Sequence, residues 1–187
     1  MTIEIEKKYS LTADESTHVV FLLDELNANF TGEDFEENII YTGGFLRERQ
    51  AVLRLRNVGG RTILTYKERV PTSTDIKHQL EHETVVDDFE AASKIFDALG
   101  FTRSLVYEKQ RRKWQIEGAE VVLDKLPFGL YMEIEGPVES IRTIEKMLEI
   151  ESLPTVHETY PQLTSRFGMT NGQTIEARFN KETISAE

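Results

Sequence analysis

Charged side chains recur at every second residue in one segment of this sequence after another, and the sets are of two chemical kinds. Carboxylates come as Glu4 and Glu6, Glu81 and Glu83, and Glu133 and Glu135, with Asp124 alone. Bases come as Arg54 and Arg56, and Lys109 and Arg111, with Lys8 and Lys67 single. On an extended chain, side chains two apart project from the same face, so each pair points one way. The residues between them are mostly apolar: Ile3 and Ile5, Leu53 and Leu55, Leu64 and Tyr66, Val121 and Leu123, then Leu130, Met132 and Ile134. Clustered carboxylates suit a hard divalent cation such as Mg²⁺ or Mn²⁺, whereas the Arg fork and the Lys ammonium suit phosphoryl oxygens. Together they describe a site for a metal-bound polyphosphate.

Any one of these segments, taken alone, reads as an amphipathic strand with a solvated face. Seven acids and six bases on one shared face are more than mutual ion pairing explains, because desolvated pairs alone rarely stabilise a fold. A sheet charged on one side and apolar on the other can close with its charges inward and its helices outside.

The elements that must position these side chains follow from period and punctuation. Residues 2–9 alternate as a strand, and Thr12 with Glu15 makes a capping box for a helix over about 13–28 that carries Val19, Leu22, Leu23 and Leu26. Thr31–Glu37 reads as a polar loop, followed by strands at 38–42, 50–58 and 61–68, the last two divided by Gly59-Gly60 as a hairpin turn. Residues 69–77 read as a loop and 78–86 as a strand; Asp87 and Asp88 then cap a helix with Phe89, Ala92, Phe96 and Leu99 on one side. Strands at 102–116, 119–125 and 130–136 precede a helix opened by Pro137 and a last short helix at 158–167. Trp114 and the helix-spaced Phe residues read as core. The expected class is α+β: an eight-stranded antiparallel β-barrel forming a charged tunnel, with helices packed outside. The tunnel domain takes residues 1–167, and 168–187 is a polar C-terminal tail whose one signal is Asn171-Gly172 as a turn.

The 187 residues carry 22 bases against 33 acids, a formal charge of −11, which argues against a binder of nucleic acid polymers. No apolar run nears the roughly 20 residues that span a bilayer, so no membrane partner is expected. With no cysteine and a charged, alternating start in place of a secretory signal, the expected location is cytoplasmic. His18, His78, His82 and His157 have no metal-ligand spacing, and Gly43-Gly44 reads as a turn and not a phosphate loop.

Glu4-Ile5-Glu6-Lys7-Lys8 stands as a Glu-x-Glu-x-Lys signature near the N-terminus. It is followed in order by Leu53-Arg54-Leu55-Arg56, Leu64-Thr65-Tyr66-Lys67, Leu80-Glu81-His82-Glu83, Leu99-Gly100-Phe101 and Glu108-Lys109-Gln110-Arg111-Arg112. Val122-Leu123-Asp124, Phe128-Gly129 and Glu133-Ile134-Glu135-Gly136 complete the series. The set resembles the CYTH domain, the triphosphate tunnel metalloenzymes that include class IV adenylyl cyclases and thiamine triphosphatases. The resemblance implies an eight-stranded tunnel taking a small-molecule triphosphate with Mg²⁺ or Mn²⁺. It implies Glu4, Glu6, Glu133 and Glu135 as metal ligands, with Glu81 and Glu83 as further ligands or partners of the bases. Lys8, Arg54, Arg56, Lys67, Lys109 and Arg111 would cradle the triphosphate, and Asp124 would lie near the metal end. In catalytic roles it places Glu4, Glu6, Lys8, Lys67 and Asp124. Tyr160, after Thr159 where the family has Ser, resembles the segment of the C-terminal helix that closes over the tunnel. Arg178 and Lys181 match no motif and stay open as further basic contributors.

The expected function is a divalent-metal-dependent hydrolase of inorganic triphosphate, thiamine triphosphate or a nucleoside triphosphate. An adenylyl cyclase making cyclic AMP and pyrophosphate is the alternative, and a non-catalytic polyphosphate-binding module the second. Monomer and homodimer are both compatible with the sequence.

Overall fold

The computed structural model of the chain describes residues 2–70 and 77–180, apart from the side chains of residues 2–4 and 77–79. The alternating segments become strands β1 (Thr2–Leu11), β2 (Asn29–Thr42), β3 (Ala51–Val58), β4 (Arg61–Val70), β5 (Lys77–Val86), β6 (Thr102–Ile116), β7 (Ala119–Leu126) and β8 (Gly129–Glu135). Helices α1 (Ala13–Glu25), α2 (Phe89–Ala98), α3 (Val138–Met147) and α4 (Tyr160–Phe167) lie between and after them. Neighbouring strands pair antiparallel in the order β2-β3-β4-β5-β1-β8-β7-β6, and β6 pairs back onto β2, so the ladder closes on itself. The barrel and its α+β class are as the alternation predicts.

Local chemistry sets the element ends. Thr12 and Glu15 form the expected capping box on α1, Asp88 accepts from the Ala91 amide to cap α2, and Thr159 with Gln162 boxes the start of α4. Gly59 and Gly60 both hold positive φ, 55° and 74°, as the tight β3–β4 hairpin requires. The α1 helix ends at Glu25, three residues short of expectation, because Asn27 turns into the left-handed region at φ 53°.

Two expectations are corrected. Thr31–Glu37 is not a loop but the first half of β2, paired with β6 from Asn29 onward while β3 joins only at Glu36. Up to Phe35 it pairs with β6 alone and its residues are exposed or half-exposed, so it shows no regular apolar alternation. In the tail, strands β9 (Met169–Asn171) and β10 (Thr174–Ala177) form a hairpin at the Asn171-Gly172 turn, and β10 runs parallel to β6 at Leu105–Tyr107. Arg178 locks this hairpin to the outer surface through Glu37 (2.7 Å), Glu108 (2.9 Å) and Glu176 (2.7 Å). It does not reach the interior, and Lys181 lies outside the described residues.

The helices cover the apolar outer face of the barrel. Val19 and Leu23 of α1 and Ile141 and Ile144 of α3 pack on Trp114, Val121, Met132 and Ile134, all nearly inaccessible to water. Ala92 and Phe96 of α2 pack on Ile39, Tyr41, Leu53 and Leu55. At one end of the barrel, Tyr160 and Leu163 of α4 cluster with Ile40, Tyr107 and Tyr131 from the strands.

Under α3 one polar cluster interrupts this apolar layer. Glu145 accepts from Lys7 and from the Tyr9 hydroxyl at one oxygen and from Arg142 at the other. Burial opposes its charge, but these donors outweigh it and hold the carboxyl below its ordinary value. A depressed folded pKa stabilises the fold above the unfolded value and loses that contribution as pH falls through the folded one. Glu145→Gln is therefore expected to lower stability by about 1.5 kcal/mol at neutral pH, the size of a charge-assisted hydrogen bond. The deficit should shrink as pH falls through the lowered folded value, where the native carboxyl becomes protonated too. Urea melts of both proteins across that range check it; a deficit independent of pH excludes the ionic account.

Candidate functional site

Because the pleat alternates, the charged residues of successive strands meet inside the barrel around a cavity of about 880 Å³. Strand β1 contributes Glu6 and Lys8, β3 Arg54 and Arg56, β4 Lys67, and β5 Glu81 and Glu83. Strand β6 adds Lys109 and Arg111, and β8 Glu133 and Glu135. All eleven residues were predicted to share one face, and all line the cavity. Ile40, Val52, Tyr107, Thr159, Tyr160 and Pro161 also line it, the last three from α4 and its N-cap.

The carboxylates divide into two roles. Glu81 faces Lys67 at 3.1 Å, and Glu83 accepts from Arg56 at 3.1 Å with Arg54 at 3.9 Å, so both serve as partners of the bases. Glu133 lies 3.2 Å from Lys8 and 2.7 Å from Arg111. Glu6 and Glu135, by contrast, sit directly opposite each other where β1 pairs with β8. Glu4 stands two residues before Glu6 on β1, with its side chain outside the described set. Among the described residues, no three carboxylate or histidine side chains converge as a complete metal cage.

Asp124 does not open onto the cavity. At 1 % exposure it accepts from Arg111 Nε at 2.7 Å, from Lys109 at 3.4 Å and from the Tyr160 hydroxyl at 2.7 Å. It thus aims two bases and ties α4 to the barrel wall. Burial, Asp124 and Glu133 push the Tyr160 phenol well above its usual range, which keeps it a donor. The Tyr160 ring also carries Lys8 at 3.9 Å from its centre. Burial disfavours the charge on Lys8, but Glu133, Glu6 and Asp124 outweigh it and raise its pKa.

Arg54 and Arg56, two apart on β3, both point inward. Arg54 reaches the Thr65 hydroxyl at 3.2 Å, and Arg56 reaches Glu36 at 3.4 Å besides Glu83. The Nε of each is buried and has no hydrogen-bond partner among the described residues. A buried N–H without an acceptor is costly, and two of them side by side suit a ligand rich in acceptor oxygens.

One member of the site was missed in the sequence. Glu36, 2 % exposed on β2, stands among Arg56, Lys109 and Arg111. Burial opposes its ionisation, yet Lys109, Arg111, Arg56 and Arg54 hold its carboxyl well below the usual carboxylate range. The run Asp34, Glu36, Asn38, Ile40 does alternate, but Glu37 between Phe35 and Ile39 interrupts the apolar face and hid the period.

With this geometry in hand, the comparisons with known proteins are coherent. The CYTH domain family matches residues 2–165. No curated protein matches the chain. In fold it is similar to a conserved hypothetical protein from Pyrococcus furiosus, at TM-score 0.72 and 23% identity, covering 84% of this chain and 97% of that one. A putative adenylate cyclase from Vibrio parahaemolyticus aligns at TM-score 0.69 and 18% identity over 88% of this chain and 98% of its own. A putative adenylyl cyclase from Hippeastrum, described as having a dominant triphosphatase activity, aligns at 0.67 and 19% over 91% and 98%. Identities this low speak to fold, whereas the family match spans nearly the whole chain. A closed barrel that turns paired acids and bases inward, together with that match, makes this chain a member of the CYTH domain family.

Proposed function

We propose that the chain hydrolyses a small-molecule triphosphate, held inside the barrel with Mg²⁺ or Mn²⁺. The observation that carries this reading is the convergence of Lys8, Arg54, Arg56, Lys67, Lys109 and Arg111 on one cavity, with two buried Arg Nε groups awaiting acceptors. Six cations from four strands suit a polyanion such as a triphosphate, and the Arg forks can each span two oxygens. The Hippeastrum protein's triphosphatase activity supports the same choice.

The donor set fits a divalent cation of the hard kind. Mg²⁺ is commonly held by one or two carboxylates, with phosphoryl oxygens and water completing its shell, so an incomplete protein cage is the expected one. Glu6 and Glu135, opposite across β1 and β8, would hold it, with Glu4, two residues earlier on β1, as the further ligand that the resemblance implies. When bound, the cation would neutralise phosphoryl charge and lower the pKa of a water. The chain's own residues do the rest. Arg54 and Arg56 grip neighbouring phosphoryl groups; Lys8 and Lys109, with Arg111 aimed by Asp124, balance the charge that builds on the transferred group. The α4 helix walls off one end through Tyr160 and Leu163, which limits bulk water.

A panel of inorganic triphosphate, thiamine triphosphate and nucleoside triphosphates, assayed with Mg²⁺ and with Mn²⁺, tests this. Orthophosphate release from at least one is expected. Cyclic AMP with pyrophosphate from ATP would replace hydrolysis by cyclisation, the activity named for the Vibrio protein. Tight binding with no product from any substrate would leave a polyphosphate-binding module.

A further inference from the structure

Glu36, like Asp124, is a buried carboxylate at the cradle that does not line the cavity, and three bases that do line it stand around it. It lies on β2, between β3 and β6, opposite Val58 on one side and Lys109 on the other. Its Oε1 is 3.4 Å from Arg56 and 4.0 Å from Arg111, and its Oε2 is 3.4 Å from Lys109. Asn38 Nδ2 donates to Oε2 at 3.3 Å, which fixes the carboxylate from its own strand. We propose that Glu36 is the positioning residue of the phosphate cradle, a buried carboxylate that draws Arg56, Lys109 and Arg111 together from the strands on either side of it. The inference rests on the triphosphate reading of the cavity.

The sign of the expected effect separates this role from simple electrostatics. Deleting a negative charge behind a cationic cradle should tighten anion binding if nothing else changes. Lys109 is why the opposite is expected. It is 1 % exposed, and burial together with Arg111 draws its pKa below the ordinary lysine value. The groups that face it are Glu36 from β2, Asp124 from β7, Glu133 from β8, Arg111 on its own strand and the Tyr160 ring from α4. With Glu36 neutral, the opposing carboxylates are reduced to Asp124 and Glu133, the ammonium gives up its proton more readily, and Arg56 keeps only its Glu83 contact on that side. The cradle then loses both aim and charge.

Calorimetric titration of inorganic triphosphate into wild type, Glu36→Gln and Glu36→Asp tests the inference. Glu36→Gln should bind about 10-fold more weakly near pH ~8, the loss of one charge-assisted contact. The deficit should narrow as pH falls, because the Lys109 ammonium is more fully protonated at lower pH. Glu36→Asp keeps the charge and should recover most of the affinity, while a separate Mn²⁺ titration should not move in either variant. If Glu36→Gln fails to fold by circular dichroism, Glu36→Asp carries the test: about 3-fold weaker binding is expected from a shorter reach to Arg56, and wild-type affinity overturns the inference. Equal or tighter binding by folded Glu36→Gln overturns it as well. Wild type that binds no triphosphate overturns the functional reading itself, whereas tight wild-type binding with unchanged variants overturns this inference alone.

Discussion

Glu135→Gln is expected to cut triphosphate turnover by about 10³-fold or more at saturating Mn²⁺ while leaving the fold in place. Gln has the shape of Glu and lacks its charge, and hard cations take ionised oxygen in strong preference to an amide. Loss of the cation forfeits several kcal/mol of charge stabilisation, with each 1.36 kcal/mol worth about tenfold in rate. Glu135 sits opposite Glu6 on β1 and Glu120 on β7, and Glu6 faces the same cavity, so Glu6→Gln should do the same, and Glu4→Gln extends the series along β1. None of these carboxylates packs in the apolar clusters, so melting temperatures should stay within a few degrees of wild type. Phosphate release within a few-fold of wild type in both Glu6→Gln and Glu135→Gln would remove these residues as the cation's ligands.

Arg56→Ala is expected to weaken triphosphate binding by about 100-fold, with Arg56→Lys falling between it and wild type. Each lost charge-assisted contact is worth roughly 1.5–3 kcal/mol, and a guanidinium can make two. Lys keeps the charge and loses the fork, so the Lys variant measures how much of the effect is geometric. The partners left behind keep other cations: Glu36 has Lys109 at 3.4 Å, and Glu83 has Arg54 at 3.9 Å. Stability should therefore change little. Titrating Mn²⁺ and a non-hydrolysable triphosphate separately distinguishes cradle from metal site, and triphosphate binding at wild-type strength in Arg56→Ala would show that the inward face of β3 has been misassigned.

Much of the site was legible because the pleat is a local property. Leu53-Arg54-Leu55-Arg56 needs no knowledge of its neighbours to place its two guanidiniums on one side, and Glu133-Ile134-Glu135 likewise. Where one face packs on helices, the apolar partners mark the period, and β1, β3, β4, β7 and β8 were read from it. The first half of β2 lies under no helix and its residues up to Phe35 are exposed or half-exposed with no regular apolar period, so Glu36 was hidden in what read as a loop. The β9–β10 hairpin was missed for a related reason: it is short, and a parallel contact with β6 and the Arg178 ion pairs hold it, neither of which leaves a periodic trace.

The sequence by itself determined that acids and bases in matched numbers face one side of a closed antiparallel sheet, because alternation and turn residues act over a few positions. Only the tertiary structure decided which charges meet. Register across the ladder sets Glu6 against Glu135 but Lys8 against Glu133. Barrel closure brings β2 alongside β6 and so puts Glu36 next to Lys109, residues 73 apart in the chain. Docking of α4 turns Asp124 from a carboxylate expected near the metal into the anchor of Tyr160 and Arg111. Coulomb energies between side chains depend on distances of a few ångströms, and those distances exist only once strands far apart in sequence have paired.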